Sequence, residues 1–383
     1  MVFEIFFLLS LLLIIYAYAG YPLILLVVVR FRDFSLKRED ICPTVSVIIA
    51  VYNGEKVIRG KLENTLSMNY PKEKLQVIVA SDCSTDKTQE IIMKYRHRGV
   101  NLLVLPERQG KTTAENRAIK EALGEILVFT DASTLLEKDA IREMIKNFAD
   151  PRVGCVSGED KSVNQYNPRL IVSEGVYVRY EMFLRRLESL THSLVGASGC
   201  LYATRRELCI ELPAHITRDF FTPLHAREKG FFTISEPGAI AYVKAIESQP
   251  VEFGRKIRTI TGGLSVLFYK KALLNPIKYG LYAVILIHHK LLRWLVPFFL
   301  LTGLLTNLLL LGTTKLFFWF FIMQMMLYLF ALIGLIQSQT GRLYRIFSVP
   351  LYFLMINIAT LVSWWKLITN QDKAFATWNP TKR

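Results

Sequence analysis

Three clusters of polar residues each follow a run of β-branched and apolar residues, and they are the first candidates for chemistry. The clusters are Tyr52-Asn53-Gly54-Glu55, Ser81-Asp82-Cys83-Ser84-Thr85-Asp86 and Asp131-Ala132-Ser133. Carboxylates and hydroxyls at such places accept hydrogen bonds and bind hard cations. Two further residues stand out: Lys111 follows Gly110 in a loop, and Asp219 opens a helical pattern. A carboxylate of this kind acts as a general base if it reaches the proton it removes.

The elements that must position these residues alternate between strand and helix. Buried strands are predicted over 45–51, 75–80, 101–105 and 126–130, and helices over 55–67, 85–96, 112–123 and 220–229. Alternation at this spacing predicts an α/β domain with a largely parallel sheet and helices on both faces. Ligands of such sheets bind beyond the carboxyl ends of the strands, where the three polar clusters fall.

Apolar segments flank this domain. Residues 5–29 carry no charge, and 294–314, 316–340 and 346–365 are also long enough to span a bilayer. The predicted organisation is a membrane helix in 1–29, a soluble domain in 30–250, amphipathic interfacial helices in 251–290, three membrane helices in 291–367 and a basic tail in 368–383. For the helix around 257–267, periodicity leaves open whether its apolar face meets lipid or a protein core.

Charge predicts the orientation of the chain in the membrane. Basic residues directly follow the first apolar segment, namely Arg30, Arg32, Lys37 and Arg38. The positive-inside rule therefore places the soluble domain in the cytoplasm, on the inner face of the cell membrane. Four spans would leave the basic tail outside, whereas its charge favours the inside, so the sequence leaves the side of the tail open.

Composition excludes several classes of protein. Basic residues beside membrane segments account for part of the net charge of +15, so nucleic acid is not a predicted partner. The five cysteines form no Cys-x-x-Cys pair and no zinc-type spacing, which predicts reduced thiols. A transporter is disfavoured because the late apolar segments contain no acid. The oligomeric state is not predicted.

The motifs together resemble glycosyltransferase family 2. The resemblance rests on Pro43-Thr-Val-Ser-Val-Ile-Ile-Ala-Val-Tyr-Asn-Gly54, Asn69-Tyr70-Pro71, Val79-Ala-Ser-Asp-Cys-Ser-Thr-Asp-Lys-Thr88, Gln109-Gly110-Lys111, Phe129-Thr-Asp-Ala-Ser133, Gly199-Cys-Leu-Tyr-Ala-Thr-Arg-Arg-Glu207, Thr217-Arg218-Asp219, Arg255-Lys-Ile-Arg258, His289-Lys-Leu-Leu-Arg-Trp294 and the Trp-Asn-Pro-Thr-Lys-Arg tail. It implies a GT-A fold and inverting sugar transfer from a nucleotide-sugar, in the membrane-anchored group that includes cellulose, hyaluronan and poly-GlcNAc synthases.

The resemblance also implies roles at the leaving diphosphate. Asp131 would correspond to the first carboxylate of the family's Asp-x-Asp motif and bind Mg²⁺ or Mn²⁺, while Ser133 replaces the second and is a weaker ligand. Lys111 would reach the diphosphate. Arg258 would neutralise the leaving group, with Arg255 beside it, although the Gln and Trp of the family's Gln-x-x-Arg-Trp motif are absent.

The remaining implied roles concern the nucleotide and the acceptor. Tyr52, Asn53, Glu55 and Asp82 would contact the base and ribose of a UDP-sugar. Asp219 would be the general base, with His215 and His225 as alternative bases. The helix that carries Tyr177, Glu181, Arg185 and Glu188 would border the acceptor in relatives, and its spacing is equally typical of ion pairs within a helix.

The sequence thus predicts a hexosyltransferase of polysaccharide or cell-envelope synthesis. It would move a sugar from a UDP-sugar to a lipid-linked or growing glycan acceptor and would contact membrane lipid. Two alternatives stay open: a processive synthase that also translocates its product, and a non-catalytic membrane protein that binds nucleotide-sugar.

Overall fold

One eight-stranded mixed sheet organises the soluble part of the chain. The computed structural model describes residues 1–31, 34–163, 171–244, 249–339 and 344–371. Arg32, Arg342 and the tail from 372 onward therefore lie outside the described residues. The strands are β1 Val45–Val51, β2 Leu75–Ser81, β3 Val100–Val104, β4 Ile126–Thr130, β5 Leu135–Leu136, β6 Val153–Val163, β7 Leu201–Arg205 and β8 Phe232–Lys244.

The sheet order is β3-β2-β1-β4-β7-β6-β8-β5. Strands β3, β2, β1 and β4 are mutually parallel, and β6 is parallel to β8. Strand β7 is antiparallel to both β4 and β6, which joins the two parallel sections. This mixed, mostly parallel sheet confirms the predicted fold class, and it brings the carboxyl ends of β1, β2 and β4 to one edge.

The helices cover the sheet and extend into the apolar segments. They are α1 Val2–Ile15, α2 Tyr21–Phe31, α3 Ile58–Leu66, α4 Thr88–Met93, α5 Lys111–Lys120, α6 Ala140–Lys146, α7 Ile171–Thr191, α8 Arg218–Glu228, α9 Gln249–Tyr269, α10 Pro276–Tyr279, α11 Leu281–Leu286, α12 Arg293–Leu310, α13 Lys315–Gln339 and α14 Arg345–Ile368. Short π-helical segments, Tyr16–Gly20 and Ile287–Leu292, make α1–α2 and α11–α12 continuous.

Alternating residues of the central strands build two cores. On one face, Val47 and Ile49 of β1 pack with Ile58 and Leu62 of α3. On the other face, Ile48 belongs to a second cluster that includes side chains of α5. Successive side chains of a strand point to opposite faces, so a strand covered on both faces is apolar throughout.

Four helices of the described residues are long and apolar enough to cross a bilayer: Val2–Phe31, Leu281–Leu310, Lys315–Gln339 and Ile346–Ile368. They agree with the four apolar segments of the sequence, except that the second begins at Leu281 rather than at residue 294. The reason is the π-helical segment Ile287–Leu292, which lets the polar residues there continue the helix into α12.

Helix α9 packs its apolar face on the membrane helices. Ile260 and Leu264 cluster with Ala359 of α14, and Trp364 and Trp294 lie against the same cluster. The amphipathic pattern of α9 therefore meets protein over this stretch. Helix α9 consequently links the soluble domain to α14.

Candidate active site

The loops after β1 and β2 lie side by side and hold each other in place. The two strands are parallel and in register, with Val51 opposite Ser81. Asn53 has a φ of 49°, and its Oδ1 accepts a hydrogen bond from the Thr85 N–H at 2.8 Å. The Glu55 N–H donates to Asp86 Oδ2 at 3.0 Å. Asn53 and Glu55 therefore connect the two loops through hydrogen bonds, at the place where the sequence predicts a nucleotide.

Asp82 anchors the loop that carries Lys111. Its side chain is 1% exposed, and its two oxygens accept from the backbone N–H groups of Gln109 and Gly110, at 2.8 and 2.9 Å. Gly110 has a φ of 95°, a conformation that favours glycine. Each carboxylate oxygen keeps a second lone pair. Asp82 thus positions the backbone of Gln109 and Gly110. This contact is additional to the role at the base or ribose that the sequence predicts.

Lys111 and Asp131 form an ion pair at the same edge of the sheet. Lys111 is the first residue of α5 and Asp131 follows β4, and Lys111 Nζ lies 2.6 Å from Asp131 Oδ1. Burial would lower the pKa of Lys111, but the carboxylates of Asp131, Glu115 and Asp219 raise it above its usual value. The lysine therefore stays charged, and a cation and a carboxylate meet where a diphosphate is expected.

Asp219 lies in the first turn of α8 and faces this pair. Burial raises the pKa of its carboxyl group, and the positive charge of Lys111 opposes that rise. Its Oδ1 accepts from the Phe220 N–H at 2.9 Å. Its Oδ2 faces Gly199, where an added Cβ would lie only 2.7 Å away. A half-buried carboxylate with a raised pKa beside a cationic site has the properties of a general base.

The alternative bases lie elsewhere. His225 is two turns farther along α8, about 9 Å along the helix axis. Its Nδ1 is 3.2 Å from Glu228 Oε2 and 3.3 Å from Lys270 Nζ. Burial lowers its pKa. His215 is half-exposed in the segment before α8. Of these three residues, the structure brings Asp219 to the Lys111–Asp131 pair.

Two residues that the sequence did not single out support the site. Lys61 on α3 is fully buried, and its Nζ donates to Thr130 Oγ1 at 2.8 Å and to the Thr134 carbonyl at 2.7 Å. These bonds fix both ends of the turn that contains Asp131. Burial lowers the pKa of Lys61 to about 7. The helical pattern of α3 gave no signal for this lysine, because its partners are about 70 residues away.

The second is Arg108, whose guanidinium carbon lies 4.0 Å from the centroid of the Tyr52 ring. A planar cation above an aromatic ring is a cation–π contact and forms a flat stacking surface. Its position next to Gln109-Gly110-Lys111 was the signal that could have identified it.

The donor set fits a hard divalent cation. Asp131 provides a carboxylate and Ser133, in the same turn, a hydroxyl, and the carboxylate of Asp131 also pairs with the Lys111 ammonium. Among the described residues, no group of three or more His, Cys, Asp or Glu side chains could hold a metal. Mg²⁺ and Mn²⁺ suit such a site, because substrate phosphates and water complete their coordination.

The predicted cations of the Arg255-Lys-Ile-Arg258 motif lie on α9. Arg255 forms an ion pair with Glu252 one turn earlier, at 2.7 Å. Lys256 lies above the Tyr177 ring, with Nζ 4.8 Å from its centroid. Arg258 is half-buried on the same helix. Helix α9 thereby brings Lys256 beside α7.

Two glutamates of helix α7, Glu181 and Glu188, make polar contacts with membrane helices. Glu181 pairs with His289, Lys290 and Arg293 at 2.8, 3.2 and 2.9 Å. The Tyr21 hydroxyl donates to Glu188 at 2.6 Å. The spacing of α7 had also allowed ion pairs within the helix. In the described residues, Glu181 and Glu188 instead contact residues of other helices.

Comparison with known proteins adds independent evidence. Residues 46–212 match the family described as Glycosyl transferase family 2. Over 229 residues the chain is 27% identical to the poly-beta-1,6-N-acetyl-D-glucosamine synthase of Staphylococcus aureus (strain COL), covering 58% of this chain and 55% of that protein. The synthase of the same name from Staphylococcus epidermidis is 25% identical over the same share. The chain spans about half the length of the curated relatives it matches.

A solved structure resembles the whole chain. It is a mannosyltransferase from Pyrobaculum calidifontis in complex with GDP-Man and Mn²⁺, with a TM-score of 0.73 and 23% sequence identity. The similarity covers 96% of this chain and 99% of that protein. Since it includes the membrane helices as well as the sheet, it confirms the predicted GT-A domain with attached membrane helices.

Proposed function

We propose that this protein transfers a sugar from a nucleoside diphosphate sugar to an acceptor at the cytoplasmic face of a membrane, with inversion; the match of residues 46–212 to the family described as Glycosyl transferase family 2 supports this proposal. The observation that carries the proposal is the position of Asp219: its carboxyl group, with a raised pKa, faces the Lys111–Asp131 pair.

The proposed reaction assigns each residue a task. Asp219 removes the proton of the acceptor hydroxyl, whose oxygen then forms a bond to the anomeric carbon of the donor sugar. The bond from that carbon to the diphosphate breaks, and the diphosphate leaves with the electron pair. Lys111 and Arg258 stabilise the negative charge that develops on it. A divalent ion bound at Asp131 and Ser133 would add further positive charge to stabilise the leaving diphosphate.

The donor is proposed to be a UDP-sugar. The Tyr52–Arg108 surface would stack on the base, and Asp82 would accept a hydrogen bond from the base or ribose. Since the mannosyltransferase of similar fold was solved with GDP-Man, a donor screen must include both nucleotides. Ligands that bind the folded state raise its melting temperature, so a thermal-shift screen of UDP- and GDP-sugars with Mg²⁺ or Mn²⁺ identifies the donor.

The decisive experiment is the substitution Asp219→Asn in full-length protein in nanodiscs, assayed with that donor. Loss of a general base costs about 10² to 10⁴ in rate, so we expect at least a hundredfold lower kcat. Glu211→Gln, an exposed carboxylate shortly before α8, is the matched control. Wild-type turnover by Asp219→Asn would remove Asp219 as the base. A wild type that binds the donor but transfers nothing would favour the non-catalytic alternative.

Processive synthesis is the second candidate function. The curated relatives are named as synthases of a polysaccharide, which supports it, while the missing Gln and Trp of the processive motif oppose it. Sizing of the labelled product separates the two: one added sugar supports single transfer, and a ladder of long chains supports the synthase.

A further inference from the structure

Arg185 on α7 carries a positive charge with no carboxylate partner in the described residues. Its only recorded hydrogen bond there is a long one, from Nη2 to the Ala197 carbonyl at 3.4 Å. Its Nη1 is buried without a hydrogen-bond partner among those residues. Buried polar groups almost always have partners, and a guanidinium offers five N–H donors. An unsatisfied arginine beside a candidate active site therefore indicates a ligand that accepts hydrogen bonds.

Arg185 lies close to the candidate base. The Ala197 carbonyl that it contacts belongs to a segment whose own N–H donates to the Asp219 carbonyl, at 3.1 Å. Burial raises the pKa of Asp219, and the positive charge of Arg185 is among the influences that lower it. A ligand on Arg185 would consequently lie next to the group that accepts the acceptor's proton.

Lys290 approaches the same segment from the membrane side. Its Nζ lies 5.9 Å from the centroid of the Phe220 ring, and its Cε would lie 3.8 Å from a Cβ added to Gly196. Lys290 belongs to the apolar helix Leu281–Leu310. Arg185 and Lys290 thus border the site on the side of the membrane, whereas Lys111 and Asp131 border it on the side of the strand ends.

Among the described residues, Arg185 differs from the neighbouring cations because it forms no ion pair. Glu181 alone pairs with Lys290 and Arg293. Arg185 adds a third cation that no carboxylate of the described residues neutralises within 4 Å. Because Glu188 and Asp219 also lie in this region, its charges nearly balance. The missing ion pair of Arg185 is what favours an anion, which gains more in a partly buried place than it would in water.

We propose that Arg185 and Lys290 bind the phosphate or diphosphate of a lipid-linked acceptor, and thereby hold the acceptor hydroxyl at Asp219. This inference rests on the proposed function and specifies its acceptor. The membrane position of Lys290 assigns the phosphate to a lipid, because its tail would then remain among the membrane helices. A neutral glycan chain could accept hydrogen bonds from these two cations but would not neutralise their charge.

The test uses farnesyl diphosphate as the probe, with farnesol as the uncharged control, on full-length protein in phosphatidylcholine nanodiscs saturated with UDP and Mn²⁺. We expect farnesyl diphosphate to bind, farnesol to bind far more weakly, and Arg185→Gln to weaken the diphosphate at least tenfold. Arg186→Gln is the matched control: it is the next residue of α7, its side chain is 49% exposed, and it pairs with Glu159. It should bind the probe like the wild type.

Several outcomes would overturn the proposal. Equal affinity of Arg185→Gln and wild type would remove Arg185 from the site, and equal affinity for farnesol would reduce the site to an apolar one. Competition between UDP and the probe would assign the cations to the donor's diphosphate. Displacement by added phosphatidylglycerol would assign them to bulk anionic lipid.

Binding and turnover fail separately. Arg185-dependent probe binding by a protein that turns over no donor would defeat the proposed function and leave the anion site. Turnover with a neutral glycan acceptor, without probe binding, would support the proposed function and defeat the anion site. In an active protein, Arg185→Gln should raise the KM for a polyprenyl phosphate acceptor and leave the KM for the donor unchanged.

Discussion

Substitution of Gly199 by alanine tests the position of Asp219 with the addition of a single methyl group. A Cβ at residue 199 would lie 2.7 Å from Asp219 Oδ2, whereas ordinary contact begins near 3.4 Å. The backbone of Gly199 does not have a positive φ, so alanine causes no backbone strain there. The carboxylate must therefore move by about 0.7 Å, and this movement strains the bond that its Oδ1 accepts from the Phe220 N–H.

The expected cost follows from that displacement. A misplacement of about 1 Å at a reacting group costs roughly a hundredfold in rate. We therefore expect Gly199→Ala to lower kcat by about 10- to 100-fold, which is about 1.4 to 2.8 kcal/mol in the activation free energy. The KM for the donor should change less than twofold, because the added methyl group meets Asp219 and not Tyr52, Asp82 or Lys111.

The assay is initial-rate sugar transfer in nanodiscs, with donor and acceptor varied in turn. Gly60→Ala is the control, because no atom lies within 4 Å of the Cβ it would add, and it should retain full activity. The melting temperature of both variants shows whether they fold. A folded Gly199→Ala protein with wild-type kcat would refute the view that Asp219 must hold this position.

Three further outcomes follow from the charges of the described residues. Transfer should fall as the pH drops through the pKa of Asp219, which burial raises above the usual value of 3.8. Because Lys111 holds that pKa down, Lys111→Met should move the acidic limb of the kcat/KM profile to higher pH. Chelation with EDTA should abolish transfer, and Mn²⁺ or Mg²⁺ should restore it. The Arg152 guanidinium holds the pKa of Asp150 below its usual range. Asp150→Asn should therefore lower the melting temperature at neutral pH. Its difference from the wild type should begin to shrink as the pH falls below about 4, the usual value in an unfolded chain, and should disappear only below the lowered pKa of the folded protein; a constant difference would contradict this linkage.

Strands were the part of the fold that local sequence predicted best. Strands β1 and β4 have the predicted bounds, Val45–Val51 and Ile126–Thr130. Both are covered on two faces, so their apolar runs are continuous and end where the polar loops begin. The four apolar helices were equally evident, because length and hydropathy suffice to identify them.

Helix starts were predicted less well, because the residues before the helices form hydrogen bonds between the loops of the candidate site. The helices predicted from 55 and 85 begin instead at Ile58 and Thr88. The residues before them form bonds between the two loops, such as Glu55 N–H to Asp86 and Thr85 N–H to Asn53. Side chains of Asn and Asp compete with helical hydrogen bonds in this way, and only the pairing of β1 with β2 brings the loops close enough.

The sequence by itself therefore determined the elements, the membrane segments and the types of residue available for chemistry, because each depends on neighbours along the chain. Tertiary structure alone decided which of those residues meet. Lys111 forms an ion pair with Asp131, and Lys61 donates a hydrogen bond to Thr130, next to Asp131. Arg185 lies near Asp219, and its Nη1 has no hydrogen-bond partner among the described residues. The physical reason is that these contacts join residues between 20 and 73 positions apart, where no local periodicity records them.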